Sequence, residues 1–255
     1  MKIELRGNCL NKGTSRVEVE KGDGFSLLVH NKSGLPQNVP LEIDNMGVED
    51  HLVSLGHEVR VDIVEHLFSA LFGLNLFDVK IRVFGSELPF FDGSSRQYTD
   101  KLKSLVTDTS PSASKFQEKI LVSHNSSYLL YEPIDNDELI IDMELFHPFI
   151  NKQKISLVIN KETYLSDIAP ARTFVFTDEA DPRLKDLPPY GIGITKDNVY
   201  AREPLRYEDE LVRHKILDLL GDLYVLKRKV LGRITGRNTS HLLNLEFARE
   251  LIKRI

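Results

Sequence analysis

Apolar and polar residues alternate in the opening segments KIELRG, SRVEVE and FSLLVH, and again in HEVRVDI at 57–63. A period of two puts every second side chain on one face, so each segment is predicted to be a half-buried strand. The period then changes. In VEHLFSALFGL, residues 64–74, Leu67, Ala70, Leu71 and Leu74 recur at helical spacing, and Gly73 and Asn75 suit a helix end. FDVKIRVFG returns to strand character. DGSS at 92–95 is predicted to cap a helix over RQYTDKLKSLV.

The second half closes in the same order. RYEDELVRHKILDLLGDLYVL, residues 206–226, predicts a long helix with Pro204 just before it. KVLGRITGR predicts a strand, and NTS at 238–240 caps a terminal helix, HLLNLEFARELIKRI. Both halves thus finish helix, strand, capped helix, which reads as an internal duplication carried by element order. Upstream, SYLLYEP and ELIIDMELF predict a hairpin around the polar stretch IDND, and KISLVIN a further strand. Residues 177–205, with several Pro and Gly, read as an irregular insert. TDTSPSASK, residues 107–115, is rich in Ser and Thr and lacks large apolar side chains, so it reads as a linker. The expected fold class is α+β, with sheets and helices segregated in two layers, in two units at 1–108 and 115–255.

Composition narrows the function classes. At 255 residues, 41% hydrophobic and 28% charged, the chain reads as a soluble globular protein with a substantial core. A net charge of -5 argues against a nucleic-acid partner. The single cysteine, Cys9, permits neither an intrachain disulfide nor a thiolate zinc cluster, and fits a reducing compartment. The first residues do not resemble a signal peptide, and no run is long and apolar enough to span a bilayer. The expected location is the cytoplasm.

Chemistry concentrates on the long helix. His214, Asp218 and Asp222 are four apart, and each step drifts only about 40° around a helix, so the three share a face. A histidine and a carboxylate at i and i+4 can grip one metal ion. An exposed polar stripe is the commoner use of such spacing. Leu217, Leu219, Leu220 and Leu223 surround this one, however, and ionised groups amid apolar surface need partners or a metal. Gly221, unfavourable within a helix, could admit another element at close range. Glu65–His66 opens the apolar helix; by itself the pair is explained by the preference of Glu for a first turn. His241 stands in the first turn of the last helix, where the dipole disfavours its imidazolium form, and Asp222 could supply the offsetting carboxylate. His30, His51, His57 and His124 are expected to be structural.

Three blocks match one known family. VEHLFSALFGLNLFDVKIRVFGSELPFFDGSS, ARTFVF at 171–176 and RYEDELVRHKILDLLGDLYVL resemble the helix–strand–DGS block, the ARTFGF motif and the metal-binding helix of the bacterial UDP-3-O-acyl-N-acetylglucosamine deacetylases (LpxC). His147–Pro148 resembles that family's strand-end HP. The resemblance covers most of 61–99 and 169–247, in the right order and spacing, and marks the chain as a divergent, short member. It implies two similar two-layer α/β sandwich domains with the active site between them. It implies zinc, with iron(II) as the alternative, on His66, His214 and Asp218. Glu65 matches the general base, His241 the general acid and Asp222 its orienting carboxylate. Thr173 matches a hydroxyl that stabilises the oxyanion, and Lys215 a lysine serving both active site and substrate phosphate. Phe174 matches a residue that packs on the sugar.

The implied substrate is a UDP-linked acylated amino sugar, deacetylated on the route to lipid A. Its acyl chain would bring the enzyme, expected to be a monomer, into transient contact with the inner-membrane surface. The chain departs from the family at GNCLNKGTS, where Asn11 stands near the histidine of a GLHSG-like turn. It also departs at NTSH, where the lysine of KSGH is Asn238 and Arg237 is the neighbouring cation that could bind substrate phosphate. The insert after ARTFVF is short. These departures leave two other readings open: a zinc deacetylase acting on a different acetylamino sugar, and an inactive relative kept for binding. The presence of both Glu65 and His241 argues against the second.

Overall fold

A computed structural model describes residues 1–11, 13–30, 35–49, 51–107, 111–186 and 191–255. The first half contains strands β1 (Lys2–Asn8), β2 (Thr14–Lys21), β3 (Ser26–Val29), β4 (Gln37–Asn38), β5 (Met46–Glu49), β6 (Leu52–Leu55) and β7 (Val61–Asp62). Helix α1 (Glu65–Gly73), strand β8 (Val79–Phe84) and helix α2 (Arg96–Leu102) complete it. The second half contains β9 (Ala113–Lys115), β10 (Ile120–His124), β11 (Ser127–Glu132), β12 (Leu139–His147) and β13 (Ile150–Val158). Then come α3 (Lys161–Thr163), a π-helical turn (Tyr164–Ile168), β14 (Phe174–Phe176), α4 (Arg183–Asp186), β15 (Ile192–Ile194) and β16 (Val199–Tyr200). The half ends with α5 (Glu210–Leu223), β17 (Lys229–Arg237) and α6 (His241–Ile252).

The two large sheets share one topology. In order, the first is β1-β2-β8-β3-β4 and the second β10-β11-β17-β12-β13. In each, the strand after the buried helix (β8 or β17) lies in the middle. It runs antiparallel to its partner on one side and parallel to that on the other. Each half also carries a small three-stranded sheet ahead of its buried helix, β5-β6-β7 and β14-β15-β16. The duplication expected from element order therefore extends to strand pairing, and the fold is mixed α+β.

Burial follows the sequence periods. In β8, Val79, Ile81 and Val83 point inward and alternate with half-buried positions. Every residue of α1 is buried, as befits a helix with apolar positions on all sides. The reason is that α1 lies against α5, with α6 packed on α5 and on β10 and β11. The helices of the two halves thus meet between the two sheets. Leu243, Leu245, Phe247, Ala248 and Leu251 of α6 are buried, so its apolar stripe serves the core.

Several expectations need correction. SYLLYEP and ELIIDMELF do not form a hairpin: β11 and β12 are separated by β17, which pairs with both. Strand character over 57–63 contracts to Val61–Asp62, because only those residues pair with β6. The 177–205 insert holds β15 and β16, while residues 187–190 lie outside those described. Of the 107–115 linker, residues 108–110 also lie outside, and Ala113–Lys115 forms β9, parallel to β17. The long helix starts at Glu210, four residues later than expected.

Candidate metal centre and active site

Helices α1 and α5 approach closely because of a glycine. A Cβ on Gly221 would stand 2.3 Å from the Glu65 carbonyl oxygen, so only glycine lets α5 cross the start of α1 here. The crossing brings His66, on the first turn of α1, to the His214–Asp218 face of α5. Ligand atoms of these three residues all lie within 4.8 Å of one another, and the residues are 2%, 2% and 3% exposed. Among the described residues this is the one such group of three able to hold a metal ion.

The proton positions favour a cation. His214 Nδ1 lies 3.0 Å from the Ala171 carbonyl. A carbonyl only accepts, so Nδ1 carries a proton and Nε2 is the nitrogen turned to the site. Nε2 lies 3.1 Å from Asp218 Oδ1. His66 Nδ1 is buried without a partner. Burial, reinforced by the His214 ring beside it, pushes His66 down to about 3, which keeps its imidazole neutral. Burial would raise the Asp218 carboxyl, but the His214 imidazole and the Lys215 ammonium outweigh it and hold the group well below the usual range. Two histidine nitrogens and one carboxylate are a donor set that zinc takes readily, and three such ligands would leave a fourth position open.

The supports of these ligands come from elsewhere in the chain. Ser95 of the DGSS turn donates to the His66 carbonyl at 2.8 Å. Arg172 and Glu210 form a buried two-pronged pair at 2.8 and 3.0 Å, and Glu210 also takes the Arg172 N–H at 3.0 Å. That pair fixes the segment whose Ala171 carbonyl sets the His214 tautomer. Arg206 bridges the Pro170 carbonyl at 2.6 Å and Asp92 at 2.7 Å, joining this segment to the DGSS turn.

The other expected residues fall into place unevenly. Lys215 Nζ is 2.6 Å from Asp218 Oδ2 and 5.8 Å from the Phe174 ring centre, and Phe174 meets the His214 ring edge-on at 6.1 Å. Thr173 is anchored through its backbone: its N–H donates to Gly93 at 2.7 Å and its carbonyl accepts from Ile192 at 2.9 Å. Glu65 is buried, with the Val53 N–H at 3.3 Å from its Oε2. Just before it, Ile63 adopts φ 61, a left-handed conformation that costs a β-branched residue about 1–3 kcal/mol. Burial pushes the Glu65 carboxyl up to about 8, against the opposing charge of His241. His241 Nδ1 donates to Asp222 Oδ2 at 2.7 Å. Burial would lower this imidazole, but Asp222 and Asp218 outweigh it and lift it to about 9. The dipole penalty expected at a first helical turn is thus overcome.

Arg237 is not drawn into this cluster. Its Nε lies 3.3 Å from Glu144, at the end of β17. Next to it, Asn238 adopts φ 47 and its side-chain oxygen accepts the Phe146 N–H at 2.7 Å. Asn238 is thereby a turn residue that ties β17 to β12. Sequence reasoning missed Ser95, Arg172, Glu210 and Asn244 as supports. The first three lie inside motifs it singled out, and Asn244 stands one helical turn after His241.

A statistical model of the UDP-3-O-acyl N-acetylglycosamine deacetylase family matches residues 2–253. The chain is 33% identical over 218 residues to the UDP-3-O-acyl-N-acetylglucosamine deacetylase of Aquifex aeolicus (strain VF5), covering 80% of this chain and 74% of that one. It is 27% identical over 245 residues to the enzyme of the same description from Chromobacterium violaceum, covering 89% and 79%.

Proposed function

The chain belongs to the UDP-3-O-acyl N-acetylglycosamine deacetylase family, and on that premise we propose that it is a zinc-dependent hydrolase of the N-acetyl amide of UDP-3-O-acyl-N-acetylglucosamine, acting in lipid A synthesis. The observation that carries the metal assignment is the convergence of buried ligand atoms from His66, His214 and Asp218, all within 4.8 Å of one another, beside an unpartnered His66 nitrogen. His66, His214 and Asp218 would hold zinc, which when bound would supply Lewis acidity toward an amide carbonyl and a water.

The residues of the chain supply the remaining steps. Glu65 takes the proton of the attacking water. The water oxygen bonds to the acetyl carbon, and the C–N bond breaks with a proton delivered to nitrogen by His241. Asp222 keeps His241 protonated and aimed. The Thr173 hydroxyl assists the developing oxyanion. Lys215, held on Asp218, offers its charge toward the substrate, and Phe174 presents a ring face for the sugar. Arg237 offers a cation for the diphosphate. The products are acetate and the free amine. No helix among the described residues is long and apolar enough to cross a membrane. The proposed setting is the cytoplasm, with the substrate's acyl chain making the contact with the inner-membrane surface.

The test is acetate release from the UDP-linked substrate and from an unlinked acetylamino sugar, each with and without chelator. Turnover of the UDP-linked sugar is expected, lost on chelation and restored by zinc. The engagement of Asn238 with the Phe146 N–H supports a second reading, a deacetylase of another acetylamino sugar. Faster turnover of the unlinked sugar would favour that reading, and no turnover of either would refute both.

A further inference from the structure

Asp222 lies on α5 one turn beyond Asp218 and is fully buried. Its Oδ2 accepts two hydrogen bonds, from His241 Nδ1 at 2.7 Å and from Asn244 Nδ2 at 2.8 Å. The proposed mechanism gives Asn244 no task. Yet Asn244 is also fully buried, and both its own Oδ1 and Asp222 Oδ1 lack partners. A buried amide with an unpaired oxygen is costly, so its one side-chain bond calls for a reason. His241 and Asn244 are three apart on α6, which turns both donors to the same carboxylate oxygen.

The geometry points to Asn244 as a positioning residue for the acid: it fixes the Asp222 carboxylate and makes His241 release its proton more readily. This rests on the reading of the chain as a deacetylase with His241 as proton donor. Once His241 has released its proton, Asp222 faces a neutral ring and carries its charge with less support. A second donor on Oδ2 therefore stabilises the state after proton release more than the state before it.

The carboxylates facing His241 act the other way. They are Asp222 and Asp218 on α5 and Glu65 on α1. The remaining ion pairs of α6 look outward: Glu246 meets His124 of β10, Arg249 lies 3.9 Å from Asp44, and Glu250 meets Lys253 and Arg254. Asn244 is thus the neutral counterweight to three carboxylates that tighten the imidazole's hold on its proton.

The experiment compares wild type, Asn244→Leu, Asn244→Ser and His241→Ala. It follows kcat, KM, metal content and the pH profile of kcat, and reads the His241 ring-proton titration by NMR. Leucine keeps the volume and removes the donor. The expected result is a kcat lower by about tenfold, as for one lost hydrogen bond to a charged group. KM and metal content should stay within about twofold, with the alkaline limb and the NMR titration both moved up by about one pH unit. Serine leaves room for a water to donate in its place, so its shift is smaller and in the same direction. If leucine fails to fold, serine decides. An unmoved limb and titration, or an unchanged kcat, would overturn the role of Asn244. If instead His241→Ala retains wild-type turnover, the acid assignment beneath it has failed.

Discussion

Glu65 and His241 are both buried, and both are pushed upward, which suits the proposed acid and works against the proposed base. A base must be ionised to accept a proton, and burial, against the opposing charge of His241, would hold Glu65 protonated up to about 8. A dication held by the neighbouring His66 would pull that value down, so kcat/KM should rise with pH along a limb lying below 8. An acid must be protonated, and His241 loses its proton near 9, so kcat/KM should fall above that pH. A bell-shaped profile measured by acetate release checks both signs; an alkaline limb near 6 would contradict the role of Asp222. Glu65→Gln keeps the volume and removes the base. It should lower kcat on the order of 10²–10⁴-fold while metal content, read by elemental analysis, stays at the wild-type level.

Among the elements, the α1–α5 crossing matters most, and its key residue was visible early. Gly221 interrupts an otherwise strong helix, and the structure shows why: a Cβ there would meet the Glu65 carbonyl at 2.3 Å. Gly73 admits the Tyr164 ring in the same manner, at 2.2 Å. Gly221→Ala should therefore lower stability by about 1–3 kcal/mol in thermal or urea unfolding. This is so even though alanine is the better helix former by about 1 kcal/mol. A more stable variant would mean that the helices do not touch at this point. The helices and central strands were legible because their periods run over many residues. Strand partners were not. The polar IDND stretch promises a local hairpin, but β17 enters from far along the chain and takes both neighbours. The strands of the small sheets are two to four residues long, too short for a period to show. Ser95, Glu210 and Asn244 escaped notice because their bonds go to backbone or side chains of distant segments, which spacing along the sequence does not reveal.

At the scale of the whole molecule, two halves of like topology meet through their helices and contribute unequally to one centre. The first half gives His66 and Glu65; the second gives His214, Asp218, Asp222 and His241. A metal held this way is a clip between halves as well as a reagent. Stripping it should lower the melting temperature. Free zinc at about 100 times its Kd adds roughly 2.7 kcal/mol to the folded state. His66→Ala, with one side of the clip gone, should melt at nearly the same temperature with and without chelator, as scanning calorimetry would show. The most direct test of the joint centre is anomalous diffraction at the zinc edge from crystals of the zinc-loaded protein. The account predicts one strong peak per chain, about 2.0–2.2 Å from a His66 ring nitrogen, His214 Nε2 and an Asp218 oxygen. A catalytically active crystal with no peak there, or with its peak on other residues, would contradict it.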